Sequence, residues 1–197
     1  AYLHNAEDQL RGEAATLPFF SIWLWANPRV LRIAGLGYQK GFGGHFHNDN
    51  ALAVLRDIPG LILACPSDGA EAAQMLRECH RLAREENRLC VFLEPIALYP
   101  MRDVQAVDGA WMRTYPAPDQ RIPFGQVGVK GDGDLAIVTF GNGRYLTAAA
   151  AIKDVRIIDL RWLAPLPLKS LLDALKGAKH ILVVDETRRS GGIAEGV

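Results

Sequence analysis

Cysteine is scarce in this sequence, and no two cysteines are close together. The three are Cys65, Cys79 and Cys90, and each lies in an apolar stretch. An odd number of distant cysteines argues against a disulfide framework, and no Cys-x-x-Cys or cysteine–histidine cluster indicates zinc. We therefore expect buried free thiols in a reducing compartment, and no metal site.

An excess of one charge and a long apolar run are lacking as well. The chain has 22 basic and 22 acidic side chains, so its charge gives no reason to expect nucleic acid or an anionic membrane as a partner. No apolar run approaches the roughly 20 residues of a membrane-spanning helix. Residues 1–10 lack the basic and apolar regions of a signal peptide. These absences predict a soluble, cytoplasmic protein.

The apolar residues that are present alternate between strand-like and helix-like patterns, which is typical of an α/β protein. Runs at 30–34, 61–65 and 89–93 predict strands, the last two apolar on both faces as in buried parallel sheets. Between them, apolar residues recur at helical spacing from 72 to 83, after Asp68, which can cap the helix. Two further helices are predicted at residues 4–16 and 50–56.

A second α/β unit follows a stretch rich in proline and glycine. We interpret residues 101–133 as an ordered crossing between two domains, with Trp111, Met112, Tyr115 and Phe124 as its apolar anchors. Beyond it, the pattern predicts strands at 135–140, 155–160 and 181–184 and helices at 144–152 and 168–175. A sheet of only three strands would leave a long bare edge, so we expect this second domain to be incomplete.

The glycine-rich loops do not match a phosphate-binding pattern. Lys40 stands where the third glycine of G-x-G-x-x-G is required in the loop at 35–44. The sequence Gly141-Asn142-Gly143 lies between a strand and a helix, as a Rossmann loop does, but it is too short. A tight turn, with the helix beginning at Arg144, is the favoured interpretation.

Two histidines, His45 and His47, follow the first glycine-rich loop. Residues two apart point to opposite sides of an extended chain, so a shared metal ion is not expected. An exposed imidazole can carry a proton near neutral pH. From the residues alone, however, a capping or packing role is the favoured interpretation.

Acidic residues end two of the predicted strands. Glu94 follows one of them, and Asp185-Glu186 follows another, with Arg188 and Arg189 close by. Open α/β sheets bind ligands at this edge. A structural ion pair is the favoured role for Glu94, and mutual pairing or an interface explains the other four residues without chemistry.

Several motifs nevertheless occur in one order and spacing that resembles a known family. In the first half these are the stretch 41–50, ending His-Phe-His-Asn-Asp-Asn, then Pro59-Gly60-Leu61, Cys65-Pro66-Ser67 and Phe92-Leu93-Glu94-Pro95. They resemble the rear half of the pyrimidine-binding domain in the transketolase-like family. The match is to the beta component of thiamine-diphosphate-dependent 2-oxoacid dehydrogenases.

The second half agrees with this resemblance. The stretch 158–166, Ile-Asp-Leu-Arg-Trp-Leu-Ala-Pro-Leu, resembles the family's IDLR-x-L-x-P motif. Asp185-Glu186 followed by Gly191-Gly192 resembles its (D/E)E…GG turn. The resemblance implies two linked α/β domains with mainly parallel sheets and flanking helices. These are the rear of a pyrimidine-binding domain (1–100) and the front of a transketolase C-terminal-like domain (134–197), both incomplete.

The resemblance also implies a site. In the family, thiamine diphosphate lies between the beta component and an alpha component, which holds the diphosphate and Mg²⁺. His47 stands at the position of the family's active-site histidine, and His45 does not. The acid that contacts the pyrimidine is a glutamate expected upstream of residue 1, so the chain alone is expected to be inactive.

The implied activity is oxidative decarboxylation of a 2-oxo acid with transfer of the acyl group to lipoyl. The implied partners are an alpha component, a second beta chain and a lipoyl-bearing acyltransferase, in the mitochondrial matrix if the source is eukaryotic. Two alternatives stay open. One is another thiamine-diphosphate enzyme of the transketolase or deoxyxylulose-phosphate synthase type, and the other is a non-catalytic assembly fragment.

Overall fold

The computed structural model describes residues 2–37, 50 and 52–197, and the fold that it shows is built on two four-stranded sheets. The strands are β1 (Arg29–Gly35), β2 (Leu61–Ala64), β3 (Leu89–Pro95), β4 (Gly128–Lys130), β5 (Leu135–Thr139), β6 (Val155–Asp159), β7 (Trp162–Ala164) and β8 (His180–Val183). The α-helices are α1 (Glu7–Gln9), α2 (Leu17–Phe20), α3 (Leu52–Arg56), α4 (Gly69–Glu86), α5 (Asn142–Ala149) and α6 (Leu168–Leu175).

The first sheet has the order β1-β3-β2-β7, and its first three strands are parallel. Strands β2 and β3 are buried on both faces except at Glu94, as their unbroken apolar sequences predict. Helix α4 is the crossover between them. It begins as expected, because the Asp68 side chain accepts a hydrogen bond from the Glu71 amide.

Strand β7 is the main departure from expectation in this sheet. It comes from the second half of the chain and pairs antiparallel with β2, joining Leu63 to Ala164 and Ala64 to Trp162. Trp162 is fully buried there, and Phe124 of the crossing segment packs against its ring at 5.2 Å between centroids. A strand from one half of the chain thus completes the sheet of the other half.

The second sheet has the order β4-β6-β5-β8. The three expected strands, β5, β6 and β8, are parallel, and β4 adds a fourth, antiparallel strand at the edge of β6. The expectation of a three-stranded sheet was therefore wrong. One edge of this sheet is covered by the end of the crossing segment.

Three smaller differences concern the helices and the crossing segment. The expected helix at 4–16 is a succession of 3₁₀, α and π turns, with Gly12, a weak helix former, inside the π turn. Helix α5 begins at Asn142 rather than Arg144 and ends earlier than expected. Of the four expected anchors of the crossing, Trp111 and Phe124 pack inward, whereas Met112 and Tyr115 are exposed.

The larger apolar cluster of the described residues extends under both sheets. It joins side chains of the first sheet to those of the second, for example Leu63, Leu93, Ala136, Val138 and Ile158. A second cluster fills the space between α4 and the first sheet, and Trp162 belongs to it. The division into domains at residues 100 and 134 stays a prediction, but the two sheets share one interior.

Two negative findings hold for the part of the chain that the structure describes. None of its helices is both long and apolar enough to cross a membrane. Within that part, no group of three or more histidine, cysteine, aspartate or glutamate side chains is arranged to hold a metal ion.

Candidate functional site

The carboxyl ends of the parallel strands of both sheets meet at one place. We call this place the seam and define it by Leu36, Cys65, Pro95, Gly141 and Asn142. The Asn142 side chain donates hydrogen bonds to the Leu36 carbonyl (2.9 Å) and to the Glu186 carboxylate (3.2 Å). One buried amide therefore ties the end of β1 to the ends of β5 and β8. In open α/β sheets this edge is where ligands bind.

Gly141 allows the two halves to approach closely at the seam. Its backbone has a φ of 52°, which favours glycine. A Cβ atom at this position would lie 3.1 Å from the Cys65 sulfur, 3.3 Å from Leu36 and 3.4 Å from Pro95. A glycine is therefore needed at position 141 because the two halves of the chain contact each other there. The space around it is filled by protein.

The (D/E)E…GG motif forms a turn that packs against α3. Asp185 accepts hydrogen bonds from the Thr187 amide (2.8 Å) and the Ala194 amide (3.0 Å). The Arg56 guanidinium of α3 donates to the Gly192 carbonyl. Asp185 therefore holds the turn after β8, and Glu186 contributes to the seam through Asn142.

Six charged side chains meet beside the seam, and we call them the junction cluster. They are Asp68, Glu71, Arg113, Arg144, Asp159 and Arg161. Arg161 Nη2 lies 2.5 Å from Glu71 Oε1 and Arg113 Nε lies 3.0 Å from Asp68 Oδ2. Arg144 contacts Asp68 at 3.6 Å and Asp159 at 3.5 Å. The cluster links the start of α4 to α5 and to the turn after β6.

The turn between β6 and β7 places Asp159 and Arg161 in this cluster. Arg161 has a φ of 59°, so the chain turns sharply within the Asp-Leu-Arg sequence. Its amide donates to Asp159 Oδ1 at 3.3 Å, and its carbonyl accepts from the Cys65 amide at 2.7 Å. The IDLR motif thus connects the end of β6 with the end of β2.

Asp159 is the most perturbed carboxyl group of the cluster. Its side chain is fully buried, and this burial, together with the negative charge of Glu71, raises its pKa to about 7. The Ser67 hydroxyl and the guanidinium groups of Arg144 and Arg161 act in the opposite direction. Buried charges of both signs therefore compete at this point.

A groove of about 660 Å³ opens on the other side of the junction cluster. Ala72, Leu76 and Phe92 form its apolar floor, and Tyr99 and Tyr115 stand at its rim. Asp68 and Arg113 line the groove as well as belonging to the cluster. Its size is suitable for a small molecule or a short peptide segment.

Glu94, at the end of β3, faces this groove but is already paired. It accepts hydrogen bonds from the Arg32 guanidinium and from the Tyr99 hydroxyl. Partial burial acts to raise the pKa of the Glu94 carboxyl, but these hydrogen bonds outweigh burial and hold the pKa below its ordinary value. Burial and the bond to Glu94 raise the pKa of Tyr99 to about 12. The ion pair favoured by the sequence is present.

The residues singled out in the sequence do not all come together. His45 and His47 lie outside the described residues. Glu94 lies on the groove, whereas Asp185 and Glu186 lie at the seam. No local sequence pattern indicated the junction cluster, because its partners are up to 90 residues apart. Its one available signal was the IDLR stretch, in which an aspartate and an arginine sit between apolar residues.

Comparisons with known proteins agree with this geometry. Residues 125–197 match the family described as "Transketolase, C-terminal domain". The chain is 29% identical over 195 residues to the beta subunit of acetoin:2,6-dichlorophenolindophenol oxidoreductase from Cupriavidus necator, covering 95% of this chain and 53% of the relative. It is 30% identical over 208 residues to the 2-oxoisovalerate dehydrogenase subunit beta of Pseudomonas aeruginosa, covering 97% and 56%.

Two further similarities bear on the alternatives. The 1-deoxy-D-xylulose-5-phosphate synthase of an Acidovorax species is 31% identical over 201 residues, covering 100% of this chain and 28% of the synthase. A solved structure titled "Split gene transketolase, inactive beta4 tetramer" superposes with a TM-score of 0.54 at 21% identity. It covers 83% of this chain and 50% of that one, and it shows the fold.

The fold is therefore transketolase-like, and residues 125–197 match the model of the transketolase C-terminal domain family. The more particular resemblance, to the beta component of 2-oxoacid dehydrogenases, is confirmed by the beta subunits that match along nearly the whole chain. The chain spans about half the length of these relatives.

Proposed function

We propose that this chain is the beta-component part of a thiamine-diphosphate-dependent 2-oxoacid dehydrogenase. The assembled enzyme decarboxylates a 2-oxo acid oxidatively and passes the acyl group to a lipoyl arm on an acyltransferase. One observation supports this proposal most directly. The carboxyl ends of the parallel strands in the two mixed sheets are fixed against each other through Asn142, in a chain that is similar over 97% of its length to a 2-oxoisovalerate dehydrogenase beta subunit.

The described residues do not form a complete site for the aminopyrimidine of thiamine diphosphate. Such a site needs a carboxylate that is available to bond the ring, and Glu94 is instead bound by Arg32 and Tyr99. His47, the proposed catalytic residue, lies outside the described residues. We propose that the cofactor is held jointly with an alpha component, which binds the diphosphate and Mg²⁺.

In this function the described residues position other groups and do not themselves react. A bound thiamine diphosphate supplies the electron sink for decarboxylation, and the protein supplies orientation and excludes water. Asn142 and the junction cluster hold the second sheet in a fixed position against the strand ends of the first. Catalytic groups must be held to within a fraction of an ångström, which requires such a support.

The first alternative is a synthase of the deoxyxylulose-phosphate type, to which the whole chain is also similar. Such an enzyme carries both halves of the cofactor site on one chain and needs cations to bind a sugar phosphate. In the groove, Arg32 is paired with Glu94 and Arg113 with Asp68. These cations are already neutralised, so the groove does not favour a phosphorylated sugar.

The second alternative is a non-catalytic assembly subunit. The solved structure with the same fold is titled as an inactive tetramer of beta chains. A chain of this fold that assembles only with itself would have no alpha component and no turnover.

Reconstitution distinguishes the three functions. The chain is expressed in its full reading frame, with and without an alpha component, and assayed with thiamine diphosphate, Mg²⁺, lipoyl domain and a panel of 2-oxo acids. A separate assay contains pyruvate and a sugar phosphate. We expect turnover only with the alpha component. Turnover without it, with pyruvate and a sugar phosphate, indicates the synthase. No turnover in any combination, with a stable complex of beta chains alone, indicates the assembly subunit.

A further inference from the structure

Exposed apolar side chains gather around the groove beside the junction cluster. Ala72, Leu76 and Phe92 form its floor. At its rim, Tyr99 and Tyr115 are 63% and 75% exposed. Exposed apolar residues are ordinary when they are scattered, whereas a group of them around a concave surface marks an interaction site. No step of the proposed reaction uses this groove, so its lining indicates a further binding site.

One wall of the groove comes from the crossing segment, and this wall is fixed to α4. The Arg77 guanidinium of α4 donates hydrogen bonds to the carbonyls of Pro116 (3.2 Å) and Gln120 (3.0 Å). The same guanidinium lies 5.4 Å from the centre of the Tyr115 ring. Trp111, deeper in this wall, is buried. A wall that is already ordered loses little conformational freedom when a ligand binds, which favours affinity.

The charged side chains that line the groove are paired with each other. Arg32 lies against Glu94, and Arg113 Nε lies 3.0 Å from Asp68 Oδ2. The lining therefore carries two positive and two negative charges, which cancel. A charged ligand would have to break one of these pairs or leave its own charge without a partner in an apolar groove. Charge complementarity therefore favours an uncharged ligand.

Each of the four carboxylate oxygens in the groove already accepts a hydrogen bond. Asp68 Oδ1 accepts from the Glu71 amide and Oδ2 accepts from the Arg113 guanidinium, both at 3.0 Å. Glu94 accepts one hydrogen bond at each of its two oxygens. An ordinary peptide that binds here would bury backbone N–H groups against side chains whose strongest acceptors are in use, which is costly. Proline has no backbone N–H group, so a proline-rich segment avoids this cost.

We propose that the groove binds an extended, uncharged, proline-rich segment of a partner protein. Such segments form polyproline II helices, which dock into grooves lined by aromatic side chains and are already ordered before they bind. In the complex, the proline rings pack on the rings of Tyr99, Tyr115 and Phe92, and the exposed Tyr115 hydroxyl donates to a carbonyl of the segment. This inference does not rest on the proposed function, because no residue of the groove is given a catalytic step.

The direct test is the binding of a fluorescently labelled oligoproline to the full chain, measured by fluorescence anisotropy. NMR spectra of the backbone amides locate the site. We expect saturable binding that shifts the amide signals of Phe92, Tyr99 and Met112, and little change in affinity with added salt, because the ligand is uncharged. A glycine–serine peptide of equal length is the control and should not bind. No saturable binding of oligoproline up to about 1 mM would overturn the proposal.

Substitutions at Tyr115 test whether its aromatic ring carries the binding. Tyr115→Ala should weaken oligoproline binding by at least about tenfold, because aromatic anchors dominate such interfaces. Tyr115→Phe keeps the ring and should weaken binding by a smaller factor. The matched control is Val107→Ala, since Val107 is exposed on the same crossing segment but does not line the groove. All three substitutions replace exposed side chains and should leave the melting temperature close to that of the unmodified chain. Equal affinities of the Tyr115→Ala and Val107→Ala variants contradict the proposal.

Other occupants of the groove predict different results. An amphipathic helix bonds its own N–H groups internally, so tighter binding of a neutral helical peptide than of oligoproline would assign the groove to a helix. Tighter binding of an acidic or basic peptide would show that the charge pairs open for a charged ligand. A loss of self-association in Tyr115→Ala would show that a second copy of the chain fills the groove. Each of these three results overturns the proline-rich ligand.

Discussion

Glu94 illustrates what can be read from a single residue and what cannot. The sequence predicts that Glu94 lies at the end of a buried strand, and it favours an ion pair as the role of this residue. Its partner Arg32 is 62 residues away and is set by sheet register, because Ala34 lies opposite Glu94 and Arg32 is on the same face two residues earlier. Register between distant strands is a property of the folded sheet, so local sequence does not reveal it.

The substitution Glu94→Gln should lower the free energy of unfolding at neutral pH by about 1–3 kcal/mol, because hydrogen bonds to a charged group are lost. The Glu94 pKa is lowered on folding, so its stabilisation is present above about pH 4.5 and is lost as pH falls below that value. Urea unfolding at pH 7 and pH 3.5 should therefore show a smaller difference between the variant and the unmodified chain at the lower pH. An equal difference at both pH values would contradict this.

His47 remains a prediction, since it lies outside the described residues. In the reconstituted enzyme, His47→Ala should lower kcat by at least roughly a hundredfold, as expected when an acid–base group is lost. Cofactor affinity and melting temperature should stay close to those of the unmodified enzyme. The control is His45→Ala, which should have a much smaller effect. Equal effects of the two substitutions, or unfolding by His47→Ala, would show that the histidine is structural.

At the scale of elements, helix α4 was the most predictable part of the chain. Its capping residue and apolar spacing are local, and the structure confirms both. Strands β4 and β7 were missed for the opposite reason. Each has three residues, and each lies beside glycine or proline, so neither carries a periodic pattern. They form because longer strands offer them an edge.

Asp68 has two roles at the start of α4, and different substitutions can separate them. It caps the helix through the Glu71 amide and pairs with Arg113. Asp68→Ala loses both and should lower the free energy of unfolding by about 2–4 kcal/mol. Asp68→Ser keeps a capping oxygen and loses the charge, so it should be less destabilising by about 1 kcal/mol. Chemical denaturation measures both, and equal losses would show that the cap contributes nothing.

At the scale of the whole molecule, the most conspicuous surface is a run of exposed apolar side chains that begins in the last turn of α2 and continues towards β1. Phe19, Phe20, Ile22, Trp23, Leu24 and Trp25 are each 68–82% exposed. Burying aromatic side chains of this size removes about 150–250 Å² each. The run could therefore supply most of the roughly 800 Å² per partner that a stable interface buries.

We expect the chain alone to associate with further copies of itself through this run. Sedimentation velocity at micromolar concentration should show dimers or larger species. The double substitution Trp23→Gln and Trp25→Gln should shift the distribution towards monomer without changing the far-ultraviolet circular dichroism. The matched control is Tyr99→Phe, at the groove, which should leave the distribution unchanged. A sharp monomer for the unmodified chain would contradict the expectation.

Because β7 comes from the second half of the chain but completes the sheet of the first half, proteolytic cleavage between the two halves should not separate them. Residues 162–164 complete the sheet that residues 29–95 begin, and they are held there by β2 and by the buried ring of Trp162. A protease that nicks the exposed stretch around Val107 should therefore yield two fragments that migrate as one particle under native conditions and separate only in denaturant. The same reasoning predicts that either fragment, produced alone, misfolds, while the two produced together recover the native particle. The nicked chain should melt at a lower temperature than the intact chain, and this temperature should rise with protein concentration, because unfolding of the nicked chain releases two fragments.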